Sequence, residues 1–375
     1  MATVLVGRGY LNIFNTPRQP KIHTILRGRM PGPLGRLWKP FENVGFWNPL
    51  GSFDLVHTFN KIPLWSHQPW MVSFESILPR TLGPKQEIMR DILREKLLSS
   101  QCRGIIAISN YAVRRTKKAL AGWEGLPDLL SKIEVIPPNI NPLHLRAEYK
   151  GGPLSVIFIG NEFARKGGIV TLRMARLAQA GGLPIHFHIV SNLRYGAGIY
   201  TDFQDPRAYD EDLKILTQPN VTFHGSISNA SVMKLIEESH FVLLPTLHET
   251  YGFSPLEGMS LGVPAIATAT AAIPEFVKNG ENGFLLPLAN NEQGDWILLG
   301  KPPLQWADLD RTYDELAQAS MERIARVLEN PELWNRLSQG ALTHIRTHHD
   351  AETIGALLEA RYSAALNPVP DTRGC

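Results

Sequence analysis

Cysteine is almost absent. Cys102 and Cys375 are the only two in 375 residues. A single pair cannot build a disulfide framework, and neither residue sits in a metal-ligand spacing, so a disulfide scaffold and a zinc module are both excluded. Cys102 is expected in or beside a helix end. No apolar run approaches the roughly 18 residues that a membrane-spanning helix needs. The opening MATVLVGRGY lacks the basic-then-apolar form of a signal peptide and reads as a first strand, Thr3 to Val6. A cytoplasmic protein is the expectation. There is no internal repeat and no low-complexity tract, and no nucleic-acid reader motif accompanies the charge. What remains is an ordinary globular composition, 43% hydrophobic and 19% charged, in a chain long enough for two cores.

The net charge of +3 conceals an asymmetry. Residues 1–150 carry 21 Lys and Arg against 10 Asp and Glu, a balance of +11, and residues 151–375 carry 17 against 25, a balance of −8. Two domains with different partners are implied. The break falls within EVIPPNINPLHLRAEYKGGP (134–153), where Pro137, Pro138 and Pro142 stop regular structure and Gly151-Gly152 precede a new strand. The domains expected are 1–145 and 146–350, with 351–375 as a last helix and tail. From that break to about residue 290, strands and helices alternate, which predicts a doubly wound parallel α/β sheet. Segment 30–51 sets Trp38, Phe41, Phe46 and Trp47 among basic residues. These aromatics either contact an anionic membrane surface peripherally or a lipid-linked acceptor, or they pack onto their own domain.

The densest chemistry lies in HETYGFSPLEGMSLGVPAIAT (248–269). A buried strand precedes it, a glycine loop (Tyr251, Gly252, Phe253) opens a helix, and another strand returns. Ser254 is placed to cap that helix, with Pro255 at its first position. Glu249 and Glu257 flank the helix start. Free N–H groups and the positive end of a helix dipole suit a phosphate, and carboxylates beside them suit the hydroxyls of a ribose and a sugar. The bland alternative is that Ser254 and Glu257 form a capping box and Glu249 is a solvated loop residue. A second loop favours the first reading. The strand 155–159 ends at Gly160 and Asn161, and Arg165, Lys166, Gly167 and Gly168 then open a helix. Two cations and two glycines at a strand–helix junction can meet a pyrophosphate with charge and backbone donors.

With these loops in view, the chain resembles the retaining GT-B glycosyltransferases of family 4. Glu249 and Glu257 match the Glu-x7-Glu element, Gly262-Val263-Pro264 the following turn, and Gly160 through Lys166-Gly167 the phosphate loop. The resemblance covers about residues 51–345 and is strongest in 220–290. It implies two Rossmann-like domains facing a cleft. The implied reaction moves a hexose-type sugar from a nucleotide diphosphate sugar to a hydroxyl acceptor, with retention and without metal. Cell-surface polysaccharide or glycolipid synthesis, at the inner membrane face, is the implied setting. By this resemblance Lys166 and Glu249 are catalytic. Arg165, Gly160, Asn161, Gly252, Phe253, Ser254 and Glu257 bind the donor, and the last helix crosses back to the first domain. On the N-terminal segments His57, Glu75, Ser76 and Arg80 are the acceptor-side candidates.

The chain departs from the family at three places. Asn161 stands where Arg is usual, Glu75-Ser76 where His is usual, and the first strand ends in Gly-Arg-Gly. The first two leave room for an inactive nucleotide-sugar-binding module, or for a hydrolase or phosphorylase-like enzyme with Glu75 as acid or base. Two metal-like patterns are read otherwise. Asp308-Leu309-Asp310 supplies charge at a helix start, and His348-His349-Asp350 are solvated helix-end residues.

Overall fold

A computed structural model describes the chain except residues 29–38, 46–51, 82, 84–85, 144–145, 301–303 and 368–375. Two compact units emerge: Met1–Asn141 with His349–Cys375, and Pro142–His348.

The first unit contains β1 (Thr3–Gly7), β2 (Thr24–Gly28), β3 (Val44–Gly45), β4 (Leu55–Phe59), β5 (Ile62–Pro63), β6 (Trp70–Phe74), β7 (Cys102–Ala107) and β8 (Ile133–Val135). Six of them form one sheet in the order β2-β1-β4-β6-β7-β8, and β3 pairs with β5 alone. Every pairing is parallel. The central strands are buried along nearly their whole length, as a parallel sheet covered on both faces requires. Cys102 opens a buried strand beside the end of the helix Gln86–Leu98, its N–H donating to the Ser99 carbonyl at 3.2 Å. Burial pushes its thiol up to about 12.

The helix Ala351–Leu366 is the last layer of this unit. Its Glu359 accepts the backbone N–H groups of Lys21, Ile22 and His23 at 2.7–3.1 Å. Arg361 grips Glu134 through two parallel bonds of 2.5 and 2.6 Å. Asp350 caps the helix by accepting Thr353 N–H at 2.8 Å. His349 corrects the expectation of a solvated helix end: it is 2% exposed, with Nδ1 2.8 Å from the Pro138 carbonyl.

The second unit contains β9 (Leu154–Ile159), β10 (Ile185–Val190), β11 (Val221–Gly225), β12 (Phe241–Leu244), β13 (Ala265–Thr268) and β14 (Gly283–Leu286). Their order is β11-β10-β9-β12-β13-β14, again all parallel. Phe158, Phe187, Phe241 and Leu243 pack with the helices Gly168–Ala180 and Trp306–Glu329 into one core. Arg173, 4% exposed, ties those helices together by binding Asp212, Asp310 and Asp314 at 2.6–2.9 Å. Asp308 meets Arg311 instead, at 2.8 Å. The Asp-x-Asp pattern is thus divided between two arginines at a helix start.

In both sheets the chain runs outward in one direction and then reverses. The reversal lies between β1 and β4 in the first unit, and between β9 and β12 in the second. The loops leaving neighbouring strands diverge there, which opens a crevice at the carboxyl ends of the strands.

Candidate functional site

The loops after β9 and β12 meet at the second unit's switch point. The first runs from Gly160 to Gly167 and ends at the helix Gly168–Ala180. The second runs from Pro245 to Gly252 and ends at the helix Phe253–Ser260. Each helix is preceded by a glycine with φ of 96°, Gly167 and Gly252, a left-handed geometry that L side chains rarely adopt. Space is short as well. A Cβ on Gly167 would come within 2.3 Å of the Pro245 carbonyl oxygen. Gly167→Ala is therefore expected to destabilise the second unit by about 2–4 kcal/mol, as the left-handed strain and the clash combine. Gly182→Ala, at φ 60° with nothing within 4 Å, should cost only about 1 kcal/mol. Urea denaturation of both variants checks this, and equal losses would remove the clash from the account.

Backbone and side-chain bonds lock the two loops together. Leu247 N–H donates to the Arg165 carbonyl at 2.9 Å. The Thr246 hydroxyl reaches both the Arg165 and His248 carbonyls, at 3.0 and 2.8 Å. Thr246 escaped the sequence reading, and its place directly after an apolar strand was the available signal. Arg165 donates to the His248 carbonyl and pairs with Glu162, which also lies 3.5 Å from Arg194. Its guanidinium thus braces the carboxylate loop.

Lys166 forms an ion pair with Glu249. Glu249 is 8% exposed and also accepts Thr250 N–H at 3.0 Å. Burial opposes ionisation, but the charges of Lys166 and Arg165 with these hydrogen bonds outweigh it and hold the carboxyl down at about 2. A buried, permanently ionised carboxylate beside an ammonium can orient hydroxyls while the cation meets an anion.

The helix bearing Glu257 begins at Phe253, so the expected cap is corrected. Gly252 occupies the capping position, and Ser254 and Pro255 fall inside the first turn. A capping box needs its carboxylate three residues beyond the cap, which here is Pro255. Glu257, 6% exposed, stands one residue pair further on and is no part of such a box. Gly160 runs close to Lys166, where a Cβ would approach that side chain to 2.8 Å, and Asn161 is exposed, its carbonyl accepting Arg194 N–H at 3.1 Å.

The N-terminal candidates behave differently. His57 lies inside β4, 2% exposed, with Nδ1 2.8 Å from the Tyr362 hydroxyl and Nε2 2.8 Å from the Ser73 hydroxyl. Both ring nitrogens are spent on the fold, which removes His57 from the acceptor side. Glu75 and Ser76 are half-buried. Glu75 exchanges hydrogen bonds with the Asn60 amide at 3.1 and 3.3 Å. Arg80 is exposed, and its carbonyl accepts from Asn43. Of segment 30–51, Trp38, Phe46 and Trp47 lie outside the described residues, and Phe41 packs against the first unit's core. Among the described residues no three His, Cys, Asp or Glu gather as metal ligands, and no helix is long and apolar enough to cross a membrane.

Two α/β units, each on a six-stranded parallel sheet, with paired glycine-led loops at the second unit's switch point, define the GT-B architecture. Residues 153–294 match the glycosyl transferases group 1 family. An uncharacterized glycosyltransferase of Methanocaldococcus jannaschii is 28% identical over 94 residues, 24% of each chain. An alpha-1,3/1,6-mannosyltransferase of Rhizomucor pusillus is 39% identical over 67 residues, 18% of this chain and 15% of the relative. The chain thus spans about a quarter or less of the length of these relatives. Solved structures match over nearly the full chain. A glycosyltransferase of Rickettsia africae has a TM-score of 0.61 at 15% identity, covering 98% of this chain and 99% of its own. The Anabaena protein HepE, solved with UDP and glucose, has a TM-score of 0.59 at 14% identity, with 97% and 100% covered.

Proposed function

We propose that this chain is a retaining glycosyltransferase that moves a hexose-type sugar from a nucleotide diphosphate sugar to a hydroxyl acceptor. The observation that carries this reading is the Lys166–Glu249 ion pair at the switch point, flanked by two glycine-led helix starts. In the reaction the bond from the anomeric carbon to the phosphate oxygen breaks, and its electron pair leaves on the nucleoside diphosphate. Lys166 and the N–H groups of the two helix starts stabilise that charge, so no metal is needed. Glu249, ionised throughout, accepts hydrogen bonds from the donor sugar. Glu257 accepts them from the ribose. The acceptor oxygen forms the new bond on the face that the phosphate leaves, and its proton passes to the departing phosphate. The charge excess of the N-terminal half supports an anionic or membrane-proximal acceptor, as in surface polysaccharide or glycolipid synthesis.

Glu257→Gln tests the nucleotide side. The affinity for a free nucleoside diphosphate is expected to fall by about 1–3 kcal/mol, the loss of hydrogen bonds to a charged acceptor. Calorimetric titration with uridine, guanosine and adenosine diphosphates reads the loss and identifies the base. A variant that loses stability but keeps its affinity would reduce Glu257 to a structural residue.

A further inference from the structure

The first unit has a switch point of its own, and a cavity of about 690 Å³ opens there. Its walls come from the carboxyl ends of three adjacent strands: Gly7 and Arg8 at β1, Gly28 at β2, Asn60 and Lys61 at β4. In an open parallel sheet this is where ligands bind. The volume suits a molecule of sugar size and exceeds what a bare phosphate fills.

The walls are held in place. Asn60 takes the left-handed conformation at φ 58°, its N–H donates to the Ser73 carbonyl at 2.7 Å, and its amide is clamped by Glu75. The Asn12 amide lies against Gly7, where a Cβ would come within 2.9 Å. Arg8 Nε donates to the Arg27 carbonyl at 2.9 Å, which anchors the guanidinium, and among the described residues its terminal amino groups are left for a ligand.

Charge in the cavity is unbalanced. Among the described residues neither Arg8 nor Lys61 meets a carboxylate, whereas Lys21, Arg94 and Arg361 of the same unit each pair with one at 2.5–3.0 Å. Glu42 also lines the cavity, 4.0 Å from Lys39. Two uncommitted cations on a fixed wall call for an oxyanion, and a guanidinium fork matches a phosphate oxygen pair.

We propose that this cavity binds a phosphate ester of a hydroxyl-bearing molecule, with Arg8 and Lys61 on the phosphate and the Asn12 amide on the hydroxyls. That molecule is the acceptor. Its role as acceptor rests on the transferase reading, and the anion site does not.

The test titrates the full-length protein with glucose 1-phosphate and with glucose at 150 mM salt, under saturating nucleoside diphosphate so that the second unit's phosphate loop is occupied. Vesicles of phosphatidylcholine with and without phosphatidic acid form a second arm. The ester should bind and glucose should not. Arg8→Gln and Lys61→Gln should each weaken the ester roughly 10-fold, one charge-assisted contact apiece. Lys166→Ala should leave that affinity unchanged. Sedimentation with phosphatidic acid vesicles, lost in the double variant, identifies a lipid phosphate; binding of the soluble ester alone identifies a free one. Ester and vesicle binding that ignore Arg8 and Lys61, or no binding in either arm, would overturn the proposal. The transferase reading fails separately, through nucleoside diphosphate affinities that ignore Glu257 and Lys166.

Discussion

Replacing Lys166 with alanine is expected to lower sugar transfer by about 100- to 1000-fold, the usual effect of removing one donor from a developing oxyanion. Arg165→Ala should cost less, because Arg165 is turned onto the His248 carbonyl and Glu162 and reaches the reaction through the loop. Lys166→Ala also strands Glu249 as an unpaired buried carboxylate and should lower stability. Adding Glu249→Gln neutralises that charge, so the double variant should regain stability while turnover stays low. Nucleoside diphosphate release, measured with the melting temperature of each variant, separates the two effects. Equal and small losses from Lys166→Ala and Arg165→Ala would show an ordinary surface turn.

Acidification should destabilise the protein progressively from about pH 6.5 downward. Burial pushes the imidazoles of His57, His188 and His240 down to about 4, with neighbouring His186 and His224 adding to the effect at His188 and Arg146 at His240. The folded state binds fewer protons there than the unfolded chain, whose histidines titrate near 6.5. Stability is therefore complete above pH 6.5, falls as the pH drops to about 4, and loses no more from these groups below that. For the fully buried His57 alone the loss is about 3 kcal/mol, at 1.36 kcal/mol per pH unit, a large share of a typical domain's stability. Asp202 acts the other way. Burial raises its carboxyl to about 6, so its protonation returns part of the loss. Glu249, held at about 2, adds a further loss below pH 4.5. Urea midpoints should hold level from pH 7.5 to about 6.5 and then fall toward pH 4 in wild type, less steeply in His57→Asn. A flat profile, or an imidazole resonance of His57 titrating near 6.5, would sink this account.

Strand–loop–helix units are local, and so they were legible in the chain. The apolar run 155–159 became Leu154–Ile159 in the structure, and the strand before HET became Phe241–Leu244. Helix starts were legible only to within a residue or two. Ser254 looked like a cap because the residue type favours it, but Gly252 took the position through a left-handed turn that depends on packing under Leu244 and Ile273. His57 misled for a related reason. A histidine on an N-terminal strand reads as a site residue until Tyr362, 305 residues later, arrives to satisfy it.

The sequence by itself determined the alternation of strands and helices, the two glycine loops with their charges, and the division into a basic and an acidic half. All of these depend on residues close together in the chain. Tertiary structure alone decided which strands became neighbours, and with them the two switch points, because strand order turns on nonlocal hydrogen bonding and burial that no spacing encodes. It set Lys166 on Glu249 across 83 residues, and it turned the Gly-Arg-Gly at the end of β1 into the wall of a cavity shared with β4, some fifty residues away.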